Sequence, residues 1–233
     1  MANPSRVKGT VVNDADGGTT ITQPLNCDSV TNGLLLVSIT AYRSGGSLVY
    51  PSGVTYNGAA MTKILDKDLQ ANIGMSVWRL NDPPSGSSYD VVATYASSVN
   101  KAIMIIEQWQ NVDQTTPINA TNSGSGALAS PTATTVVTTV NNAYPLVFLA
   151  NNSNSVSAGS GAFLDSSVTG VGYGMGELNN HAVQATAGTA TINVAHAGNV
   201  DNSAWVALAL TPEASVVAPT VTPQNNLAML GVS

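Results

Sequence analysis

Few side chains in this sequence could act as an acid, a base or a nucleophile. The 233 residues include 13 Asp and Glu, 2 His and 1 Cys. Paired carboxylates serve as acid and base in glycoside hydrolysis, and Glu107, Glu177 and Asp113 are the candidates for such a pair. Glu107 lies in KAIMIIEQW at 101–109, the most apolar β-type run of the chain. A carboxylate in such a strand either lies at its solvated end or has a partner.

Nucleophilic catalysis has little support. His181 and His196 stand far from Cys27 in the sequence, and no G-x-S-x-G nucleophile elbow occurs. Cys27 lies in PLNCDSV, where a small half-buried side chain is the ordinary interpretation. Two histidines and one cysteine at this spacing also disfavour a zinc site. The sequence therefore predicts a protein that is not an enzyme and that uses no cofactor.

The segment NDADGG at 13–18 is the best candidate for a metal site. Asp14 and Asp16 provide oxygen ligands at alternate positions, as calcium loops do. The glutamate that closes an EF-hand loop is missing, because Leu25 stands at that position. Asp-Gly turns are commoner than calcium sites, so we expect a turn here and no bound metal.

Composition disfavours several classes of function. Charged residues make up 9% of the chain and the net charge is −6, whereas an ordinary soluble domain is about 25% charged. The 7 Lys and Arg are scattered, so no basic face for nucleic acid is expected. The N-terminus MANPSRVKGT has no apolar core of a signal peptide. No apolar run approaches the length of a membrane helix, so we expect neither a transmembrane segment nor a membrane partner.

The elements that must position these side chains are predicted to be strands. LLLVSITAY at 34–42 is a near-continuous apolar run, as in a strand buried on both faces, and IGMSVWRL at 73–80 alternates. Asn57-Gly58 predicts a type I′ hairpin turn. The Ser-, Gly- and Asn-rich stretch 119–131 is predicted to be a surface loop. No ten-residue segment has convincing helical periodicity, so the predicted fold class is all-β, an antiparallel β-sandwich.

The chain also contains a weak internal repeat of about a hundred residues, too long for a solenoid. Its apolar strands recur in the same order, with matches that include 34–41 with 146–153 and 102–105 with 204–207. We interpret residues 1–212 as a single jelly-roll-like sandwich with two similar halves, about 5–118 and 132–212. Two separate small sandwiches are the alternative.

One charged pair follows from this repeat. Arg79 and Glu177 occupy equivalent strand positions, 98 residues apart. Two equivalent residues can meet across a pseudo-twofold axis, so the hypothesis is an ion pair between the halves. The alternative is two solvated strand residues that do not touch.

The strand sequences resemble a known group of modules. The succession LLLVSITAY, GVTYNGAAMTKI, IGMSVWRLNDPPSGSSYDVVATY and AIMIIEQWQNVDQTTPI is similar to jelly-roll modules that recur in phage virion proteins and in bacterial surface proteins. The resemblance covers about residues 34–212. It implies a β-sandwich and a place in a virion or on a cell surface. It brings no catalytic residues with it.

Aromatic residues allow a second kind of function, sugar binding. Trp78, Trp109 and Trp205 lie within apolar strands, where core packing is the usual role. Tyr50 and Tyr56 lie near loops. They are therefore the best candidates for contact with a glycan.

The C-terminal segment 213–233 differs from the rest of the chain. Its prolines at 219 and 223 favour an extended arm, and its tip carries Leu227, Met229 and Leu230. An apolar tip on a solvated arm is unfavourable unless it docks. We expect it to dock on a neighbouring subunit, with a disordered tail as the alternative.

Together these features predict a virion structural protein of a phage, a capsid decoration or another external component. Its partners would be other copies of itself and other virion proteins. A carbohydrate-binding or adhesive surface module is the first alternative, with surface glycans as partners. A subunit of an extracellular filament, joined by arm exchange, is the second.

Overall fold

The fold consists of antiparallel β-sheets. A computed structural model describes residues 2–45, 48–70, 72–128, 132–151, 156–170, 173–179, 182–195 and 200–214, and no helix occurs in these ranges. The strands are β1 Ser5–Asn26, β2 Leu34–Tyr42, β3 Gly53–Tyr56, β4 Ala59–Ala60, β5 Thr62–Gln70, β6 Ile73–Asn81, β7 Ser88–Gln110, β8 Ile118–Leu128, β9 Thr132–Thr138, β10 Tyr144–Asn151, β11 Ser157–Ala158, β12 Phe163–Gly170, β13 Tyr173–Asn179, β14 Gly188–Ala195 and β15 Val200–Leu210. The prediction of an all-β antiparallel sandwich is confirmed.

The first half is one sheet that folds over itself. Its strand order is β4-β3-β7-β2-β6-β5, and β1 runs along the free side of β7. β7 is 23 residues long, and its first part pairs with β3 while its second part pairs with β2. Register shifts in β1 between Val12 and Ala15 and between Gly18 and Thr20 mark the bend, as β-bulges do. The fold encloses a core that includes Val37, Tyr56 and Met104.

The second half has the same layout in two separate sheets. A five-stranded sheet has the order β12-β13-β10-β15-β8, and a three-stranded sheet has the order β11-β14-β9. In the first half, β5-β6-β2 with the second part of β7 and the first part of β1 matches the larger sheet. The remainder, β3 with the other parts of β7 and β1, matches the smaller one. Apart from the two-residue strand β4, each strand of the first half therefore has a counterpart among the described strands of the second.

One of the predicted sequence matches, 102–105 with 204–207, is shifted relative to the structural equivalence of the strands. Offset 102 would align Ile105 with Ala207, but Ile105 faces the core shared by the halves, whereas Ala207 faces the core inside the second half. Because side chains alternate along a strand, equivalent residues here must differ by an odd number. The apolar pattern of a strand buried on both faces could not reveal this, since both faces are equally apolar.

A central core joins the halves face to face. Alternate residues of β2 belong to two different cores. Leu34 and Leu36 face the second half, while Leu35 and Val37 face the interior of the first. Across the junction, Phe148 and Val206 complete the central core. The strand contacts β1 with β12 and β5 with β8 are equivalent under the repeat, which gives the junction pseudo-twofold symmetry. Burial on both faces explains why these strands have apolar residues on both faces.

Two segments predicted as irregular are strands. The sequence predicts a loop at 119–131, but β8 covers 118–128 and pairs with β15. The turn expected at 13–18 lies within β1. In β8 a glycine is needed, because a Cβ at Gly124 would come within 2.7 Å of the Trp205 indole. The Gly- and Ser-rich composition therefore reflects close packing at an edge strand. A surface loop can have the same composition, so composition alone does not distinguish the two.

Candidate functional site

Two carboxyl groups are buried in the central core, one from each half. Glu107 lies on β7 and Glu177 on β13, and both are 0% exposed. Their strand neighbours on the same face, including Trp109 and Met175, are part of the core between the halves. The alternation of each strand thus points both carboxyls into the junction. Buried carboxyls are costly unless they are paired, hydrogen-bonded or protonated.

An arginine from the edge strand reaches Glu107. The Arg6 Nε lies 3.2 Å from the Glu107 Oε1, and the Arg6 side chain is 24% exposed. Arg6 is opposite Trp109 in the β1–β7 pairing, so its side chain extends from the edge of the sheet over the end of the core. The guanidinium provides the positive charge that this buried carboxylate requires.

An asparagine links the other carboxyls. The Asn179 Nδ2 donates to Glu177 Oε1 at 3.1 Å and to Asp165 Oδ2 at 2.7 Å. The Tyr144 hydroxyl donates to Asn179 Oδ1 at 3.0 Å. The Tyr144 ring packs edge-on against Trp109, with centroids 4.9 Å apart. These contacts connect β7 of the first half with β10, β12 and β13 of the second.

The charge balance of this cluster favours a proton on Glu177. Burial raises the pKa of Glu177 well above 4.5, and the negative Glu107 raises it further. The hydrogen bond from Asn179 and the positive Arg6 act in the opposite direction with smaller effects. Burial raises the pKa of the Tyr144 hydroxyl, and the acidic side chains around it act in the same direction. The cluster has three carboxyl groups beside one guanidinium, so one neutral carboxyl is the expected outcome.

A surface cleft lies above the cluster. Its volume is about 750 Å³, and its lining includes Arg6, Tyr144 and Asp165. Glu107 and Glu177 do not line the cleft, because both are completely buried. A glycosidic bond in the cleft could not contact either carboxyl, and an acid–base pair must be within hydrogen-bond reach of its substrate. The arrangement can hold the halves in register, and glycoside hydrolysis by these two residues is not supported.

This burial gives a pH prediction for Glu177→Gln. Between pH 4.5 and the higher pKa of folded Glu177, the folded chain binds a proton that the unfolded chain has lost. The free energy of unfolding therefore decreases with rising pH in this window, by up to about 1.4 kcal/mol per pH unit. The substitution removes this dependence, because an amide does not titrate. Urea unfolding from pH 4.5 to 8 should show stability falling less steeply in the variant, and parallel curves would contradict the prediction.

The predicted pair of Arg79 and Glu177 is wrong. The Arg79 Nη1 donates to Asn81 Oδ1 at 2.6 Å on its own strand, and Glu177 is bonded by Asn179. The two positions are nevertheless equivalent, since Arg79 pairs with Leu36 and Glu177 with Phe148 in matching registers. Equivalence did not give contact, because the partners across the junction are β7 and β13. The third carboxylate candidate, Asp113, accepts backbone bonds from residues 115 and 116 in a turn.

The predicted glycan contacts are also occupied. Tyr56 is 0% exposed, and its hydroxyl donates to the Leu25 carbonyl at 2.9 Å. Its assignment to a glycan site is therefore wrong: the short strand β3 turns this ring into the core of the first half. Tyr50 lies over Gly74, where a Cβ would meet its ring, and its hydroxyl bonds Asp68.

The remaining candidates are Cys27, the possible metal ligands, the histidines and the residues of the C-terminal arm. Cys27 is buried, and burial raises the pKa of its thiol, which agrees with a packing role. In the described part of the chain no group of three or more His, Cys, Asp or Glu could hold a metal ion. The side chains of Asp14 and Asp16 lie outside the described residues, as do His181, His196 and the arm residues Leu227, Met229 and Leu230.

Most residues of this cluster have no marker in the sequence. The sequence predicts Glu107 and Glu177 as candidate site residues, but it does not predict Arg6, Tyr144, Asp165 or Asn179. The only signal for Arg6 is the small number of cations: a carboxylate in an apolar strand needs a positive partner, and the chain has 7 Lys and Arg to provide it. No local signal marks Asn179, whose role depends on the pairing of β13 with β12.

A scan against protein-family models finds no match for this chain, and a search of the curated proteins finds no similar protein. Among the described residues, none belongs to a helix with the length and apolarity needed to cross a bilayer.

Proposed function

We propose that this protein is a structural component of a phage virion, a capsid decoration or another external part, which acts through contacts between subunits. The observation that carries the proposal is the sealed junction between the halves. Its two glutamates, Glu107 and Glu177, are completely buried between the halves. The chain is thereby built as a rigid doubled block, which suits a protein whose role is to present surfaces to neighbours.

The outer faces support the same conclusion. Thr20, Thr22 and Thr94 are exposed on the smaller sheet layer of the first half, and Thr189 and Val137 are exposed on that of the second. Hydroxyl-rich faces with few charges can pack against equally neutral neighbours without the desolvation cost that charged side chains impose. Such faces at both ends of the block offer contacts in two directions.

The C-terminal segment provides the arm in this proposal. The chain leaves β15 beside the first half, where Pro212 bridges Val112 and the Glu213 amide donates to the Asn111 carbonyl at 2.9 Å. An arm that begins at this anchored point would reach a neighbour with the apolar residues Leu227, Met229 and Leu230. Its root is fixed, so less of its freedom is lost on docking.

Deletion of residues 214–233 tests this proposal. The shortened chain should stay monomeric at concentrations where the full chain self-associates or binds virion particles, because its docking segment is gone. Sedimentation velocity over a concentration series gives the association, and far-UV circular dichroism with thermal melting checks the fold. Replacing only Leu227, Met229 and Leu230 with Ser is the matched control for the apolar tip. Unchanged association of both variants would refute the arm.

Sedimentation velocity over the same concentration series also distinguishes an extracellular filament subunit from a virion component. Arm exchange in an open filament gives species that grow in size with concentration, whereas a closed symmetric assembly stops at one size. Co-sedimentation with capsids that lack this protein tests the decoration role directly. Failure to bind any virion component would remove the proposal.

A further inference from the structure

A shallow depression lies on the outer face of the first half, away from the junction. It has a volume of about 410 Å³ and is lined by residues of β3, of the turn at 57–58 and of the start of β7. Ser88 and Asp90 are exposed, while Tyr89 is half-buried beside them. This volume is in the range of small-molecule sites.

The polar side chains around the depression have hydrogen-bonding groups that a ligand could use. Within the described part of the chain, the side chains of Asn57, Ser88 and Asp90 make no hydrogen bond or ion pair to other protein groups, and neither do the hydroxyls of Thr55 and Tyr89. The residues that line the depression thus carry a carboxylate, an amide, three hydroxyls and an aromatic ring that is half-buried against the core. Sugars are recognised by this combination, since their hydroxyls need donors and acceptors and their C–H faces stack on rings.

The depression is held in shape by the fold. The Tyr89 ring meets the buried Tyr56 ring edge-on, with centroids 5.8 Å apart. The Asn57 amide donates to the Asp90 carbonyl at 3.1 Å, which ties the turn to β7. Asn57 has a φ of 50°, as the type I′ hairpin turn requires. A site whose groups are fixed before binding loses less freedom when the ligand arrives.

Charge selects the class of ligand. The lining contains Asp90 and no Lys or Arg, and the whole chain has a net charge of −6. Sialylated or phosphorylated glycans would be repelled. A neutral sugar is compatible with both the carboxylate and the uncharged groups.

We propose that this depression, formed by Thr55, Asn57, Ser88, Tyr89 and Asp90, is a binding site for a neutral glycan. It takes a terminal neutral hexose or N-acetylhexosamine, with Asp90 and Asn57 bonding sugar hydroxyls and Tyr89 at the side of the ring. A single shallow site binds weakly. Many copies on one particle would bind a glycan-covered surface with useful avidity.

Saturation-transfer NMR on the full chain tests the site. The probes are the methyl glycosides of glucose, galactose, mannose and N-acetylglucosamine at millimolar concentration, with sialyllactose as the anionic comparison. We expect at least one neutral probe to bind and sialyllactose to bind more weakly. Asp90→Ala should weaken that binding about tenfold, because a hydrogen bond to a charged group is lost.

Asn57→Gly provides a second variant that keeps the fold. Glycine adopts the φ of 50° at this position without strain, so only the side-chain amide is lost, and weaker binding is expected. Asn142→Gly is the matched control, because Asn142 has a φ of 60° in a turn of the other half. It should bind as the wild type does. Absence of binding by all four neutral probes, or undiminished binding by both Asp90→Ala and Asn57→Gly, would overturn the proposal, whatever the outcome of the assembly experiments.

Discussion

Replacing Arg6 with Ala should lower the free energy of unfolding by about 3–5 kcal/mol, the cost of leaving a buried charge without its partner. The Arg6 Nε lies 3.2 Å from a carboxylate that is 0% exposed. Glu177 lies near enough to interact with the same carboxylate, so removal of the guanidinium leaves two carboxyls close together in the core. Urea unfolding at pH 7, followed by circular dichroism, measures the loss.

A double variant distinguishes electrostatics from packing. If the lost charge causes the effect, Arg6→Ala with Glu107→Gln should recover most of the stability, since the amide has no charge to compensate. Arg79→Ala is the matched control: that arginine donates to Asn81 on its own strand, so a change of at most about 1 kcal/mol is expected. Equal losses from Arg6→Ala and Arg79→Ala, or no recovery in the double variant, would contradict the assigned role of Arg6.

Replacing Phe148 with Ala should cost about 3–5 kcal/mol and shift one cooperative transition of the whole block. Phe148 is completely buried in the central core, where it pairs with Glu177 on one side and Val206 on the other. A cavity at this place weakens the contact that holds both halves. Because the halves share the core, neither should unfold alone.

Two probes test this cooperativity. Tryptophan fluorescence reports on both halves, because Trp78 lies in the first and Trp205 in the second. This signal and far-UV circular dichroism should give coincident urea transitions in wild type and variant. Val137→Ala is the control at a residue that is 59% exposed, and its effect should stay within about 0.5 kcal/mol. Two separate transitions in the wild type would show that the halves are independent domains and that the central core does not couple them.

The strands most visible in the sequence are those buried on both faces. The runs at 34–42 and 101–109 have apolar residues on both faces of the strand, and they form β2 and the second part of β7. Edge strands gave no such signal. β8 is rich in Ser, Gly and Asn because one of its faces is solvated and its Gly124 must admit Trp205, so its composition matched that of a loop.

The cluster at the junction likewise contains some residues that the sequence indicates and others that only the fold reveals. Glu107 and Glu177 stand out in the sequence because a carboxylate in an apolar strand needs a partner. Their partners did not stand out, since Arg6 comes from an edge strand and Asn179 from a strand whose neighbours are set by topology. The false pair of Arg79 with Glu177 arose because equivalent positions in a repeat meet only if they lie on the symmetry axis.

By itself, the sequence determined the all-β class, the order of the main strands and the repeat of about a hundred residues, because alternation and apolar runs are local properties of a strand. The tertiary structure alone decided which face of each strand meets which core, which carboxyl acquired the arginine, and that Tyr56 is buried while Tyr89 borders an open depression. These outcomes depend on register and on the packing of one half against the other. A shift of one residue exchanges the two faces of a strand, and no local pattern distinguishes two faces that are equally apolar.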